Sequence, residues 1–179
     1  MKSPIVIFAS ALFLATGGAF AQGAASPAPG PTDAQIAHVV VTANQVDIDA
    51  GKVAAKQGKS KAVRAFGKQM VTDHTGVNKQ AVALVTKLKV TPEDNPTSQS
   101  LKQGGIENVK SLKGLKGAAF DKAYIDHEIA YHEQVLDAID KVLIPNAKNA
   151  ELKDLIVKVR PAFVGHLEHA KTIQASLVK

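Results

Sequence analysis

In four segments of the sequence, apolar residues recur at helical spacing and would form a stripe along one face of a helix. Near the midpoint of each stripe stands an ionisable residue of a type that can bind a metal ion. Between residues 63 and 88, apolar residues recur at helical spacing, but one step of the period falls on His74. Three other stripes carry such a residue in the same place: Asp47, His132 and His166. Three imidazoles with a carboxylate suit Zn²⁺, Cu²⁺ or Ni²⁺, and Fe is a further candidate. The pattern therefore predicts a buried layer that binds a transition metal ion.

More ionisable residues lie close to these four. Glu128 is one helical turn before His132, His169 follows His166 by three residues, and Asp73 adjoins His74. At ~1.5 Å of rise per residue, the carboxyl of Asp47 and the ring of His74 should differ in height by on the order of 5 Å. The predicted metal ligands are Asp47, His74, Glu128, His132, His166 and His169, with Asp73 as an additional polar residue.

A structural role explains the same residues without a metal. A buried histidine is often held by a hydrogen bond to one neighbour, and Asp47 with His74, or Glu128 with His132, would form such a pair. Buried pairs of this kind can fix the register of helices at a cost in stability. The alternative function is therefore a non-catalytic structural or interaction protein of the cell envelope.

Four long helices are expected to position these residues. Helix A is predicted from Asp33 to about residue 58, helix B from 60 to 89, helix C from 117 to 143 and helix D from 149 to the C-terminus. Thr32 and Gln35 fit a capping box before helix A. Pro145 is expected to end helix C, because the residue before a proline disfavours helix.

The connection between helices B and C is much longer than the other two connections. It contains Pro92 and Pro96, and a short helix is predicted from 98 to 112, interrupted at Gly104 and Gly105. Two short turns with one long crossover in the middle predict an all-α, ferritin-like four-helix bundle, rather than the simple up-down-up-down order.

The N-terminus is typical of an exported precursor. Lys2 precedes an apolar run over residues 5–15, and Ala19-Phe20-Ala21 is a cleavage motif, so a signal peptide is predicted for residues 1–21. Residues 22–32 form a Pro/Ala/Gly-rich linker, and residues 33–179 form one domain. The mature protein is therefore expected in the periplasm or outside the cell, without a transmembrane segment.

Composition narrows the remaining classes of function. The chain has no cysteine, which excludes disulfides, thiol catalysis and thiolate metal sites. Its net charge of +6 comes from scattered lysines without interleaved aromatic residues, so no nucleic-acid partner is expected. The same positive charge is compatible with a peripheral association with an anionic envelope surface. The sequence leaves the protein partner unidentified. A Gly-rich phosphate loop, G-x-S-x-G and H-E-x-x-H are absent, so an enzyme is the less favoured class and no catalytic residue is assigned.

The motifs of this chain resemble those of the domain-of-unknown-function family 4142. The matching segments are "VDIDAGKVA", "FGKQMVTDH", "FDKAYIDHEIAYHEQVL" and "RPAFVGHLEHA", and the resemblance covers about residues 33 to 174. It implies a ferritin-like helical fold and an exported bacterial protein, but no particular chemistry.

The metal site of the wider ferritin-like group is not expected here. That site takes a Glu-x-x-His motif from each of two helices. Val71 stands three residues before His74, and Phe163 stands three residues before His166, so both glutamates are missing. A carboxylate-bridged di-iron centre and oxygen-activating chemistry are therefore not predicted.

Overall fold

The computed structural model describes residues 30–177, and this part of the chain is helical apart from short connections, without a β-strand. The predicted signal peptide and residues 22–29 of the predicted linker lie outside the described residues. The helices are α1 (Asp33–Gln57), α2 (Lys61–Leu88), α3 (Pro96–Lys113), α4 (Gly117–Ala138), the short α5 (Ile144–Asn146) and α6 (Ala150–Leu177), with a π-helical segment (Ile139–Leu143) between α4 and α5. The predicted all-α class is thus confirmed.

Local capping explains where the first helices begin. The Thr32 hydroxyl accepts a hydrogen bond from the Gln35 backbone N–H, and the Gln35 side chain accepts one from the Thr32 N–H. This is the predicted capping box, which satisfies backbone donors that the first helical turn leaves free. Ser60 caps α2 with a single bond, which its hydroxyl accepts from the Ala62 N–H.

The predicted interruption of α3 at its two glycines is wrong. The helix runs unbroken through Gly104 and Gly105. A Cβ atom on Gly105 would lie 2.7 Å from Cγ2 of Val46 on α1. The glycine therefore permits close packing of α3 on α1 and does not end the helix, since tertiary contact outweighs its low helix propensity.

The prediction that Pro145 ends helix C near residue 143 is also wrong. Ile144 keeps helical dihedral angles, and its N–H donates to the carbonyl of Ile139, five residues earlier. The π-helical segment shifts the hydrogen-bond register, so that Pro145 falls in the first turn of α5, where a missing N–H does no harm. The helical path consequently continues to Asn146.

Two aspartates, Asp121 and Asp33, each hold a turn of the chain against the start of another helix by accepting backbone hydrogen bonds. Asp121 on α4 accepts hydrogen bonds from the backbone N–H groups of Lys59 and Ser60, at 2.8 and 2.7 Å. Asp33 on α1 accepts from the N–H groups of Lys148 and of the next residue, at 2.8 and 2.9 Å. The turn between α1 and α2 therefore lies at the start of α4, and the turn before α6 lies at the start of α1.

The four long helices pack as two pairs, α1 with α2 and α4 with α6. The pairs contact each other through α2 with α6 and, to a smaller extent, α1 with α4, while α3 lies mainly against α1. Their apolar side chains form two buried clusters, one around Phe66, Phe120 and Tyr124 and the other around Ile36, Leu136 and Ile156. None of the helices within residues 30–177 combines the length and hydropathy needed to cross a membrane.

Two glycines bring α1 and α2 into close contact. A Cβ on Gly51 would lie 2.8 Å from the carbonyl oxygen of Gly67, and a Cβ on Gly67 would lie 2.7 Å from that of Gly51. These distances leave no room for a side chain, because the neighbouring atoms belong to the helix backbone. The crossing therefore sets the separation of the two helices that carry Asp47 and His74.

Replacing Gly67 by alanine should destabilise the fold. Overpacking against a backbone carbonyl costs typically about 1–3 kcal/mol, which exceeds the gain in helix propensity of about 1 kcal/mol. Gly76→Ala in the same helix is the matched control, because a Cβ there meets nothing within 4 Å. Denaturant unfolding should show a lower midpoint for Gly67→Ala and an unchanged or higher midpoint for Gly76→Ala. Equal midpoints for the two variants would contradict the close crossing.

Candidate metal centre

A layer of five ionisable residues separates the two apolar clusters. Each long helix contributes to it, and every member is at most 4% exposed: Asp47 from α1, His74 from α2, Glu128 and His132 from α4, and His166 from α6. The centroids of the three imidazole rings lie 5.1 to 5.8 Å apart. The structure thus brings together five of the six residues that were predicted as ligands.

The donor atoms form two overlapping groups. His74, His132 and His166 each offer a ring nitrogen within 4.8 Å of the others. Asp47, Glu128 and His132 offer a second set of atoms within the same distance. His132 belongs to both groups and is therefore the central residue of the layer.

The ring of His74 is held from α1. The side-chain amide of Asn44 donates to the carbonyl of Val40 at 2.7 Å, which directs its Oδ1 towards Nδ1 of His74, also at 2.7 Å. Since Oδ1 only accepts, Nδ1 of the neutral ring carries the hydrogen. Nε2 of His74 is left with a lone pair and no hydrogen-bond partner, 3.5 Å from Oδ2 of Asp47.

The other two rings are held in the same manner. Nδ1 of His132 donates to the backbone carbonyl of Glu128 at 2.9 Å, and its Nε2 has no partner. Nε2 of His166 lies 2.9 Å from Oδ2 of Asp73, and its Nδ1 has no partner. Each imidazole is therefore oriented through one nitrogen and offers a lone pair on the other, as ligating histidines in metal sites do.

The two carboxyl groups of the layer are also unsatisfied. Oδ2 of Asp47 and both side-chain oxygens of Glu128 are buried without a hydrogen-bond partner, and so is the hydroxyl of Tyr124. Burial raises the pKa of Asp47 well above its usual value, and the neighbouring Glu128 raises it further. Burial likewise raises the pKa of Glu128 to about 8. Glu128 therefore holds its proton at neutral pH while no cation is near, and the pKa of Asp47 is shifted in the same direction.

The imidazoles are shifted in the opposite direction. Burial, together with the neighbouring rings, lowers the pKa of His74 to about 2, and burial lowers that of His132 to about 4. Burial also lowers the pKa of His166, against the opposing effect of Asp73. All three rings are neutral at pH 7, which is the protonation state that a metal ion requires.

His169, a predicted ligand, and Asp73, predicted only as an additional polar residue, lie outside the five-residue layer. His169 is exposed, its Nδ1 lies 3.0 Å from Oε1 of Gln69, and the structure does not bring it into either donor group. Asp73, which adjoins His74 in sequence, orients His166 instead. One residue along a helix is about 100° of rotation, so Asp73 faces α6 while His74 faces the interior.

Two neighbours of the layer, Asn44 and Phe163, were not among the predicted site residues. Asn44, which orients His74, lies three residues before Asp47 and so on the same face of α1, a spacing that could have identified it. Phe163 contacts the rings of His74 and His132, with centroids 5.0 and 5.9 Å apart. Tyr131 donates its hydroxyl to a backbone carbonyl of α1 at 3.1 Å.

Comparison with known proteins identifies a sequence family and a similar fold. The sequence model of the family described as "Domain of unknown function (DUF4142)" matches residues 19–173. No curated protein matches the sequence. The fold is similar to that of a crystal structure of a DUF305 fragment from Deinococcus radiodurans, with a TM-score of 0.70 and 12% sequence identity. That similarity covers 83% of this chain and 99% of the DUF305 fragment, and it concerns the fold alone.

Proposed function

Since this chain belongs to the DUF4142 family, whose function is unknown, we propose from its buried polar layer that it binds a transition metal ion. The ligands come from two groups, the imidazoles of His74, His132 and His166 and the carboxylates of Asp47 and Glu128. Mixed nitrogen and oxygen donors suit Zn²⁺, Cu²⁺, Ni²⁺ or Fe²⁺. The function is metal binding for storage, buffering or sensing, and no catalytic residue is assigned.

One observation carries this proposal: the buried atoms without partners are concentrated in the layer. Nine such side-chain atoms occur in residues 30–177, and six of them belong to the five candidate ligands. An unpaired buried polar group costs about 1–3 kcal/mol, whereas a whole domain is stable by only about 5–15 kcal/mol. A cation that accepts several of these lone pairs at once removes most of that cost.

Charge balance supports a divalent ion. Neutral imidazoles contribute no charge, and the ionised carboxylates of Asp47 and Glu128 contribute two negative charges. A divalent ion with two carboxylates gives a neutral buried layer, which avoids the large cost of burying net charge. When bound, such an ion supplies a fixed positive charge and a Lewis acid.

We extend the proposal to the architecture and the location of the protein. The pairs α1–α2 and α4–α6, joined by the long connection that contains α3, fit a ferritin-like four-helix bundle with one crossover. The apolar run over residues 5–15 and the cleavage motif at Ala19 to Ala21 support export to the periplasm or the medium.

A second candidate function is a structural or interaction protein in which the layer only fixes the helix register. It is favoured by contacts that cross between helices: Asn44 with His74 joins α1 to α2, and Asp73 with His166 joins α2 to α6. Under this function the protein would fold equally well without metal. Its histidine variants would lose stability but no ligand.

Elemental analysis of the protein, purified without a polyhistidine tag, tests the two functions against each other. About one metal ion per chain, with a melting temperature that falls on chelation and recovers on metal addition, is the expected result. An absence of metal, with no shift of the melting temperature on adding Zn²⁺, Cu²⁺, Ni²⁺ or Fe²⁺, would contradict metal binding and leave the structural role.

A further inference from the structure

A cavity of about 540 Å³ lies beside the polar layer, between α1, α3 and α4. It lies on the side where α1 contacts α4 much less extensively than it contacts α2, and α3 borders it. Its inner end reaches α6, where Phe163 lines it. Its size falls within the range of about 300–1,000 Å³ that is common for small-molecule sites.

The lining of the cavity restricts what it can hold. Apolar side chains such as Val39, Val135 and Ile139 predominate, and no Asp, Glu, Lys or Arg of the described residues 30–177 contributes. Charged residues make up 21% of the chain, so their absence from this wall is informative. A charged ligand would lose its hydration here and find no opposite charge, at a cost of several kcal/mol.

A few polar groups stand in the wall. His127 stacks on Tyr131, with ring centroids 5.7 Å apart and an angle of 14° between the planes. Nδ1 of His127 accepts from the side-chain amide of Asn108 at 3.2 Å, so Nε2 of the neutral ring carries the hydrogen. Gln134 and the hydroxyl of Ser100 line the cavity as well. Each of these groups can form a hydrogen bond to a polar substituent of a ligand.

From these observations we propose that the cavity binds a small neutral organic molecule, mostly apolar, with one group that accepts a hydrogen bond. This activity is separate from metal binding, because none of the five candidate ligands lines the cavity. The inner end nevertheless approaches the layer, since Asn44 and Phe163 line the cavity and also contact His74.

Two fluorescent probes that differ by one charge test the proposal. N-phenyl-1-naphthylamine is neutral, and 8-anilinonaphthalene-1-sulfonate is closely related but carries a sulfonate. The neutral probe should bind saturably, one per chain, with at least about tenfold higher affinity than the anion. Non-specific binding to a protein of net charge +6 would favour the anion, so an equal or reversed order of affinities overturns the proposal.

Substitutions that place a larger side chain in the cavity test whether the probe binds there. Ala138→Phe from the α4 wall should weaken binding of the neutral probe at least about tenfold, and Ser100→Phe from the exposed α3 wall should do the same without disturbing the core. Ala162→Phe, exposed on α6 outside the cavity, is the matched control and should bind like the unaltered protein.

Two outcomes of the variant experiment would contradict the proposal. One is unchanged affinity for the neutral probe in both Ala138→Phe and Ser100→Phe. The other is a failure of the unaltered protein to bind the probe, combined with dimers in sedimentation that Ser100→Phe converts to monomers. In that case the cavity would be part of an interface between two copies of the chain.

Discussion

Replacing His132 by glutamine is expected to abolish metal binding and to have the largest effect of any single change in the layer. His132 belongs to both donor groups, whereas each other residue belongs to one. Altering a residue that only supports a ligand typically costs about 10–100-fold in metal affinity, so loss of the shared ligand should exceed about 100-fold. Elemental analysis and titration with Zn²⁺ and Cu²⁺ measure the effect.

The same variant should also lose the stability that metal confers. A ligand present at about 100 times its dissociation constant stabilises a protein by about 2.7 kcal/mol, which corresponds to roughly 5–10 °C in the melting temperature of a domain of this size. Chelator should therefore lower the melting temperature of the unaltered protein by this amount and leave that of His132→Gln unchanged.

His169→Gln is the matched control for this experiment. His169 is an exposed histidine on α6, three residues after His166, and it lies outside both donor groups. Its variant should keep full metal content and the response to chelator. Equal metal loss in the two variants would show that the ion binds at the surface and not in the layer.

The second large effect is a pH dependence of stability that metal reverses. In the folded metal-free protein, burial raises the pKa of Glu128 from its usual 4.5 to about 8 and also raises that of Asp47. The folded chain therefore keeps protons that the unfolded chain releases, and this contribution to stability is full below about pH 4.5. This contribution is lost as the pH rises through about 8. For Glu128 alone, the free energy of unfolding should fall by on the order of 2–3 kcal/mol between about pH 6 and about pH 8.5.

The histidines act in the acidic range only. Their folded pKa values lie below the usual 6.5, at about 4 for His132 and about 2 for His74. Protonation therefore favours the unfolded chain, and their contribution to stability is lost as the pH falls below about 6.5. The metal-free protein should accordingly be most stable in weakly acidic solution.

Denaturant unfolding at several pH values, with and without metal, measures this effect. Metal stabilises the deprotonated carboxylates, so its affinity should rise with pH, by up to about tenfold per unit for each proton released. With saturating Zn²⁺ the fall in stability towards about pH 8.5 should disappear. Glu128→Gln is the control and should reduce the slope of the metal-free protein, while the part that comes from Asp47 remains; an unchanged slope would contradict the assignment to Glu128.

The sequence by itself determined the all-α class, the family and the residues that share the interior face of each helix. Apolar residues at helical spacing predict which face is buried, and the interruptions at Asp47, His74, His132 and His166 were visible in that pattern. Capping by Thr32 was equally readable, because it depends on residues that are close in sequence.

Contacts between helices were decided only by the tertiary structure. Gly105 was expected to break α3 and instead admits Val46, because a glycine that ends a helix and one that permits close packing look alike in sequence. Asp73 orients His166, and His169 lies at the surface, because small rotations of a helix decide which partner a side chain reaches. Periodicity places a residue on a face, but the crossing of α1 with α2 and the packing of α6 against α4 and α2 determine which donor atoms meet.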